Sequence, residues 1–264
     1  MGNTTRNRIS AILAILFTAL LAGCTLITPV TPTPLPTATV TATLAPTETP
    51  IATFTPTLEP STVPATSTST PAPTLTAEQL QRVLVLVNRE VLLPAGWQVD
   101  AVSGDGNAVV DPVIAPGLES MLADMRALGL EPVITSSYRS SKEQQNLFDY
   151  TANYYVQQGS TWDDAVEKTL GLVAKPGTSE HETGLAVDIY DRASQEAGVY
   201  NAFNPVNTWL RDNSWKYGFV LRYTLENHEK TGYAPEPWHF RYVGKDAAQA
   251  IYEQELTLEE YLKQ

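Results

Sequence analysis

The sequence is poor in the two residue types that most often build metal and disulfide centres. Cys24 is its only cysteine, so an intrachain disulfide is impossible and a structural zinc centre built on a cysteine cluster is disfavoured. It has three histidines, His181, His228 and His239. The H-E-x-x-H helix of the zincins is absent. A metal site would therefore have to combine these few imidazoles with carboxylates.

Positive charge is also scarce. Seventeen lysines and arginines stand against 29 aspartates and glutamates, which gives a net charge of −12. In the first 76 residues Arg6, Arg8, Glu48 and Glu59 cancel, so the remaining chain carries the whole −12. Because such a chain repels phosphate backbones, we expect no nucleic-acid partner.

The first 24 residues have the pattern of an export signal. Two arginines precede the apolar run Ile9–Leu21, which is too short for a comfortable membrane span. The run leads into Leu-Ala-Gly-Cys, which resembles the lipobox of bacterial lipoproteins. This predicts a lipoprotein signal over residues 1–24, acylation of Cys24 and an extracytoplasmic protein anchored to the membrane by lipid. The alternative is an ordinary signal peptide cleaved nearby, with Cys24 incidental.

Residues 25–76 consist mainly of threonine, proline, alanine and serine. Such a tract cannot bury enough apolar surface to offset chain entropy, so it predicts a disordered tether. A proline-rich chain rises about 3.1 Å per residue, so some fifty residues could reach on the order of 150 Å. In this interpretation residues 77–264 form a single folded domain.

The rest of the chain mixes helix and strand patterns. Thr76 and Gln79 form a capping-box pattern that opens a short helix. Apolar residues at helical spacing up to Leu128, followed by Gly129, predict another helix. Further helices are expected at 140–158, 162–173, 204–217 and 246–262, and strands at 132–135, 185–190, 219–223 and 239–243. These elements predict an α+β fold with a small antiparallel sheet flanked by helices.

The ten residues Ser179–Asp188 carry the strongest chemical signal. Gly184 permits a tight turn between His181 and a strand of alternating character. In that strand Asp188 falls on the face opposite the apolar residues. We therefore expect Asp188 to point into a cleft, with His181 held beside it by the turn.

A second motif, Glu236 to His239, lies near the other end of the chain. His239 occupies a strand position, and we expect its neighbours Trp238 and Phe240 to pack into the core. Pro237 biases Glu236 toward an extended backbone and limits how its carboxylate can swing. A fixed carboxylate three residues before an imidazole suits a general base beside a metal.

Two imidazoles and one carboxylate make a suitable zinc set. With His181, Asp188 and His239 as ligands, the fourth tetrahedral position stays open for water, which is typical of a catalytic site. The alternative is that these are buried histidines hydrogen-bonded to carboxylates. The second motif, with its own carboxylate, favours the metal.

Together these motifs resemble a known family. The pattern S-x-H-x-x-G-x-A-x-D followed by E-x-W-H, with the earlier run Ser136–Ser140, is similar to the zinc D-alanyl-D-alanine peptidases of the VanY and VanX group. The resemblance covers residues 77–264 and implies a small antiparallel sheet flanked by helices. The roles that it implies are one Zn²⁺ held by His181, Asp188 and His239, Glu236 as catalytic base, Arg139 beside the scissile carbonyl, and Gln144 and Ser179 as contacts of the terminal D-alanine.

Three of these residues have a plainer alternative. Arg139 could pair with a surface carboxylate, given the excess of acid. Gln144 could cap the helix through a capping box with Ser141. Ser179 could be a turn residue. The remaining histidine, His228, lies in a polar segment and is expected to be a solvated loop residue.

The resemblance implies a zinc-dependent D-alanyl-D-alanine carboxypeptidase that trims the C-terminal D-alanine of peptidoglycan stem peptides. Separately, we expect the protein to be a monomer. The alternatives are an L,D-carboxypeptidase, a free D,D-dipeptidase or an endopeptidase of cell-wall peptides, and a non-catalytic wall-binding module on the same scaffold. The presence of Glu236 argues against the module. The run 221–224 lacks the proline usual in the family, so substrate preference stays open.

Overall fold

The computed structural model of the protein describes residues 74–198 and 203–264. The predicted lipoprotein signal with Cys24, and the predicted linker as far as residue 73, lie outside the described residues. In the part of the chain that the structure describes, no helix is both long and apolar enough to cross a membrane.

Helices and strands alternate along the described chain. The helices are α1 Ala77–Val83, α2 Ala115–Ala127, α3 Ser141–Gln157, α4 Trp162–Leu170, α5 Arg192–Glu196, α6 Pro205–Asn213, α7 His228–Thr231, α8 Lys245–Glu253 and α9 Leu258–Tyr261. The strands are β1 Val102–Ser103, β2 Val109–Val110, β3 Pro132–Ser136, β4 Ala186–Asp191, β5 Phe219–Tyr223 and β6 Glu236–Tyr242. Three 3₁₀ turns are Asp105–Asn107, Glu180–Thr183 and Ser214–Tyr217.

Local sequence signals set the helix ends. The predicted capping box of α1 is present, because the Thr76 hydroxyl accepts from the Gln79 amide at 3.2 Å and the Gln79 side chain accepts from the Thr76 amide at 2.9 Å. Helix α4 ends at Leu170 rather than at the expected Val173. There the chain leaves the helix so that Val173 can pack with Leu147 of α3.

The larger sheet has four strands in the order β3-β4-β6-β5, and each neighbouring pair is antiparallel. A separate pair, β1 and β2, forms a two-stranded ribbon. In the middle of the large sheet Asp188 of β4 lies directly opposite His239 of β6. The predicted α+β fold with a small antiparallel sheet is confirmed, and its central register sets two candidate ligands side by side.

The two faces of strands β4 and β6 differ in character. Val187, Ile189 and Phe240 are fully buried and pack into the main core with α2 residues such as Leu118 and Met121. Asp188 and His239 point to the other face, as the alternation predicted.

The expectation that Trp238 packs into the core is wrong. Its ring stacks on Tyr190 at 5.7 Å between centroids, and both residues line the cavity on the other face. The cause is a register shift: Leu221 pairs with Phe240, but Tyr223 pairs with Glu236, so β6 has two extra residues in this interval. Such a bulge breaks the strict alternation of side chains.

Candidate active site

A cavity of about 270 Å³ opens on the polar face of the sheet. Its lining comes from strands β3 to β6, from the turn 180–183 and from the segment 171–174 that follows α4. The predicted site residues that line it are Arg139, Gln144, Ser179, His181, Asp188, Glu236 and His239. The structure thus brings together residues that are up to a hundred positions apart in the chain.

Three of these residues form a candidate metal centre. One ligand atom from each of His181, Asp188 and His239 lies within 4.8 Å of the other two. The Nε2 atom of His181 is 3.4 Å from Asp188 Oδ2, and Nδ1 of His239 is 3.1 Å from Asp188 Oδ1. Two imidazoles and a carboxylate in this arrangement fit a divalent ion such as Zn²⁺ and leave a position open.

Each of the two histidines has one ring nitrogen that faces away from the candidate metal position, and that nitrogen is hydrogen-bonded. Nδ1 of His181 is 2.9 Å from the carbonyl of Ser137, which can only accept, so this nitrogen donates. Nε2 of His239 is 3.0 Å from a carboxylate oxygen of Glu180. Such outer partners orient the imidazoles of metal sites. They leave Nε2 of His181 and Nδ1 of His239 toward the candidate metal position.

The turn that carries His181 requires its glycine. Gly184 has a φ of 74°, in the left-handed region, and a Cβ there would lie 2.6 Å from a methyl carbon of Val99. The amide of Arg139 also donates to the carbonyl of His181 at 3.1 Å. The turn is therefore hydrogen-bonded to the segment that follows β3, and it leads directly into β4.

The electrostatics of the cluster favour a bound cation. Burial alone would raise the pKa of Asp188, but His181 and His239 outweigh it and hold that pKa well below its usual range. Burial would lower the pKa of His239, but hydrogen bonds to Asp188 and Glu180 outweigh it and raise that pKa to about 9. The acidic surroundings of His239 therefore attract positive charge.

Glu236 lies beside the candidate ligands. Its Oε2 atom is 4.0 Å from Nδ1 of His239. Burial raises the pKa of Glu236 to about 7, against the opposing pull of His239. The backbone that carries it is held, because Asn207 of α6 donates to the carbonyl of Pro237 at 2.6 Å. A fixed carboxylate with a pKa near neutrality suits a general base.

Arg139 is held inside the cleft rather than on the surface. Its guanidinium donates to Gln144 Oε1 at 2.6 Å and to the Ser136 hydroxyl at 2.8 Å. The alternative of a surface ion pair is therefore wrong. The remaining donor capacity of the guanidinium is available to the cavity that Arg139 lines.

Gln144 is not a helix cap. The capping box of α3 is formed by Ser140 and Glu143, one position earlier than the alternative supposed. Gln144 is fully buried, and its amide nitrogen donates to the carbonyl of Ala174 at 2.6 Å. It therefore connects Arg139 to the cavity wall that follows α4.

Ser179 and His228 differ in their relation to the site. Ser179 is buried, lines the cavity and also precedes the 3₁₀ turn, where its backbone amide donates to Glu182 Oε1 at 3.4 Å, so the turn interpretation holds alongside the cavity position. His228 is exposed at the start of the short helix α7, and its ring bonds the carbonyl of Leu225. It is not among the residues of the candidate metal cluster.

Sequence reasoning missed the charged residues behind His239. Glu180, Arg222 and Arg241 have side chains that are at most 1% exposed, and both arginines bond Glu180. One signal could have found them. Each arginine interrupts a strongly apolar strand, and the sequence Phe-Arg-Tyr or Leu-Arg-Tyr is unusual for a buried strand unless the charge has a buried partner.

The comparison with known proteins agrees with this site. A family model described as "VanY: D-alanyl-D-alanine carboxypeptidase" matches residues 107–245, which is more than half of the chain and includes each predicted site residue of the cleft. The chain belongs to the VanY family. The resemblance predicted from the three motifs is thereby confirmed.

Individual relatives fit the VanY assignment. The chain is 41% identical over 179 residues to a D-alanyl-D-alanine carboxypeptidase of Enterococcus faecalis, which is 68% of this chain and 65% of that relative. The match thus spans just under two thirds of the relative's length.

Two solved structures share the fold. One is the vancomycin resistance D,D-pentapeptidase VanY from a VanB-type resistance cassette in complex with Zn(II), at 40% identity and a TM-score of 0.62, covering 69% of this chain and 99% of that one. The other is the LdcB LD-carboxypeptidase, at 34% identity and a TM-score of 0.60, covering 70% of this chain and 88% of that one.

Proposed function

We propose that the protein is a zinc-dependent D-alanyl-D-alanine carboxypeptidase that removes the C-terminal D-alanine from peptidoglycan stem peptides. The observation that carries this proposal is the convergence of His181, Asp188 and His239 within 4.8 Å, with Glu236 4.0 Å from one of them. Membership of the VanY family and the Zn(II) in a relative of 40% identity support the same metal and reaction.

Zinc and Glu236 have different roles in the proposed reaction. When bound, Zn²⁺ supplies a Lewis acid and lowers the pKa of water to about 7. Glu236 takes the proton from the attacking water and passes it to the leaving amine of D-alanine. In the metal-free protein burial raises the pKa of Glu236 to about 7, as suits a group that both accepts and releases a proton. The same carboxylate thus serves both proton transfers.

Arg139 is proposed to stabilise the oxyanion that develops on the scissile carbonyl. Its bonds to Gln144 and Ser136 hold the guanidinium in place before substrate arrives, and preorganised donors are the most effective kind. Gln144 and Ser179 are proposed to contact the terminal D-alanine. Both line the same cavity, whose lining also includes the apolar residues Leu172 and Ala174.

We also propose that the enzyme acts outside the cytoplasm as a lipoprotein. Residues 1–24 would be the signal, Cys24 the acylated residue, and residues 25–76 a tether that carries the catalytic domain 77–264 into the wall. A substrate in the cell wall supports this location. Incorporation of labelled palmitate into the wild-type chain but not into Cys24→Ser tests it; equal labelling of both would exclude acylation at Cys24.

Product masses from a muropeptide mixture test the reaction. The zinc-loaded protein should shorten pentapeptides by one D-alanine, and a chelator should stop it. Shortening of tetrapeptides instead would identify an L,D-carboxypeptidase, which the similarity to LdcB makes the second candidate. Cleavage of crosslinked dimers would identify an endopeptidase. Activity that survives the chelator would refute the metal mechanism.

A further inference from the structure

Four charged side chains lie together behind His239, on the side of its ring opposite the candidate metal position. They are Glu180, Arg222, Arg241 and Glu259, with exposed side-chain fractions of 0%, 1%, 0% and 12%. Two positive and two negative groups balance each other. Charges this deeply buried are tolerated only when they are paired and hydrogen-bonded. The cluster therefore needs an explanation beyond a surface ion pair.

Glu180 divides its two oxygens between different partners. Oε1 accepts from Nε of Arg222 at 2.8 Å and from Nη1 of Arg241 at 3.1 Å. Oε2 lies 3.0 Å from Nε2 of His239. A carboxylate between two guanidinium groups is ionised and can only accept. The hydrogen in the contact with His239 therefore sits on the imidazole.

This hydrogen decides which nitrogen of His239 can bind a metal. A neutral imidazole that carries its hydrogen on Nε2 has its lone pair on Nδ1. Nδ1 is the nitrogen that faces Asp188, at 3.1 Å. If Nε2 instead lacked its hydrogen, Nδ1 would carry it and the metal-facing position of His239 would be blocked.

We propose that Glu180 is a positioning residue for the zinc centre, whose clamped carboxylate fixes His239 in the tautomer and orientation that present Nδ1 to the metal. This rests on the zinc site of the proposed function. In metal sites of known proteins, removing such an outer partner of a ligating histidine typically costs about 10–100-fold in metal affinity.

The clamp around Glu180 is fixed from both ends of the described domain. Arg241 donates to the carbonyl of Val83, the last residue of α1, at 2.9 Å and to that of Val85, just after it, at 2.7 Å. Arg222 binds Glu259 of α9 through two nitrogens at 2.9 and 3.1 Å. With both arginines held elsewhere, the carboxylate of Glu180 has no freedom to turn away from His239.

The two histidines are consequently oriented in different ways. His181 donates from Nδ1 to a backbone carbonyl, so Nε2 faces the metal position. His239 donates from Nε2 to a charged side chain, so Nδ1 faces it. The proposal thus predicts that the two ligands bind zinc through opposite ring nitrogens, and that only one of them depends on a side chain for its tautomer.

Zinc affinity of matched variants tests the role of Glu180. The full chain is stripped with a chelator and titrated with zinc against a chromophoric competitor. Glu180→Gln keeps the shape but offers a group that can donate as well as accept, so we expect about 10–100-fold weaker binding. The control is Glu131→Gln, which removes an exposed carboxylate that pairs with Arg192 and belongs to no part of the clamp, so zinc affinity should stay unchanged. Equal losses in the two variants would overturn the proposal.

Nitrogen-15 NMR of the histidine rings tests it without a substitution. In the zinc-loaded wild-type chain we expect a hydrogen on Nε2 of His239 and on Nδ1 of His181. A hydrogen on Nδ1 of His239, or zinc bound through its Nε2, would overturn the proposal. This measurement is the deciding test if the Glu180→Gln variant does not fold. Wild-type protein that shows the expected tautomers but releases no D-alanine would refute the proposed function and leave the role of Glu180 standing.

Discussion

The two buried regions on either side of strands β4 and β6 are stabilised in opposite ways. On one side Val187, Ile189 and Phe240 join an apolar core against α2, where packing needs no particular partner. On the other side His239 contacts Glu180, and each side-chain donor of this charged cluster has a specific acceptor. In the described residues no buried side-chain nitrogen or oxygen lacks a partner. Burial of apolar side chains stabilises the first region, and hydrogen-bonded ion pairs stabilise the second.

The two sides of the sheet should therefore differ in how well they tolerate substitution. Apolar side chains can exchange for others of similar volume at modest cost. A buried ion pair cannot lose one member without leaving an unpaired charge. The charged side of the sheet should therefore tolerate substitution least, and it is the side that carries the candidate ligands. Substitutions on opposite faces of one strand should therefore affect different properties, zinc binding on one face and folding stability on the other.

The largest contrast is expected between two neighbours on β4. Asp188→Asn removes a charged ligand while keeping its shape, so zinc binding and D-alanine release should both disappear. Ile189→Ala removes packing from the core and should lower the free energy of unfolding by about 2–5 kcal/mol while zinc still binds. Zinc titration and chemical denaturation of both variants measure the contrast. A zinc-binding Asp188→Asn chain would contradict the assignment of this ligand.

A smaller loss is expected at the cleft wall. Arg139→Ala removes the proposed oxyanion donor, so kcat should fall by about 10²–10³. Zinc affinity should stay unchanged, since Arg139 is not a ligand. Steady-state kinetics on a D-Ala-D-Ala-terminated peptide give the first quantity and competition with a chelator gives the second. A variant whose KM rises while kcat is unchanged would assign Arg139 to substrate binding instead.

The smallest effect concerns stability of the metal-free protein. Because burial raises the pKa of Glu236 to about 7, the folded state resists its ionisation, and stability is lost as pH rises from about 4.5 to 7. Glu236→Gln should change little at pH 5, where the carboxyl is protonated, and should stabilise by about 1–3 kcal/mol at pH 8. Thermal unfolding at the two pH values measures this.

The exposed Glu119 on α2 supplies the control for that experiment. Glu119→Gln replaces an exposed carboxylate, and its effect on the Tm at each pH is the baseline against which Glu236→Gln is compared. If Glu236→Gln behaved in the same way, the buried environment of Glu236 would be refuted.

Much of the site could be predicted because it depends on local patterns. The alternation of β4 placed Asp188 opposite the core, and the turn at Gly184 placed His181 beside it. Capping residues such as Thr76 gave the helix starts. In each case the information lies within a few residues of the feature that it determines.

The rest depends on contacts between distant segments. The pairing of Arg222 with Glu180 joins residues 42 apart in sequence, so the apolar strand around Arg222 can indicate that the arginine has a buried partner but not which residue that partner is. The position of Trp238 depends on a bulge that appears only when β6 is paired with β5. Gln144 has a plausible local role as a cap, and only the fold shows that its partners are Arg139 and Ala174.

The most direct test of the account is the turnover of Glu236→Gln loaded with zinc. On a pentapeptide ending in D-Ala-D-Ala, this variant should bind zinc as the wild-type chain does while kcat falls by about 10²–10⁴, because the base is lost and the metal centre remains. D-alanine release at the wild-type rate by the zinc-loaded variant would contradict the central claim that Glu236 moves the proton at this site.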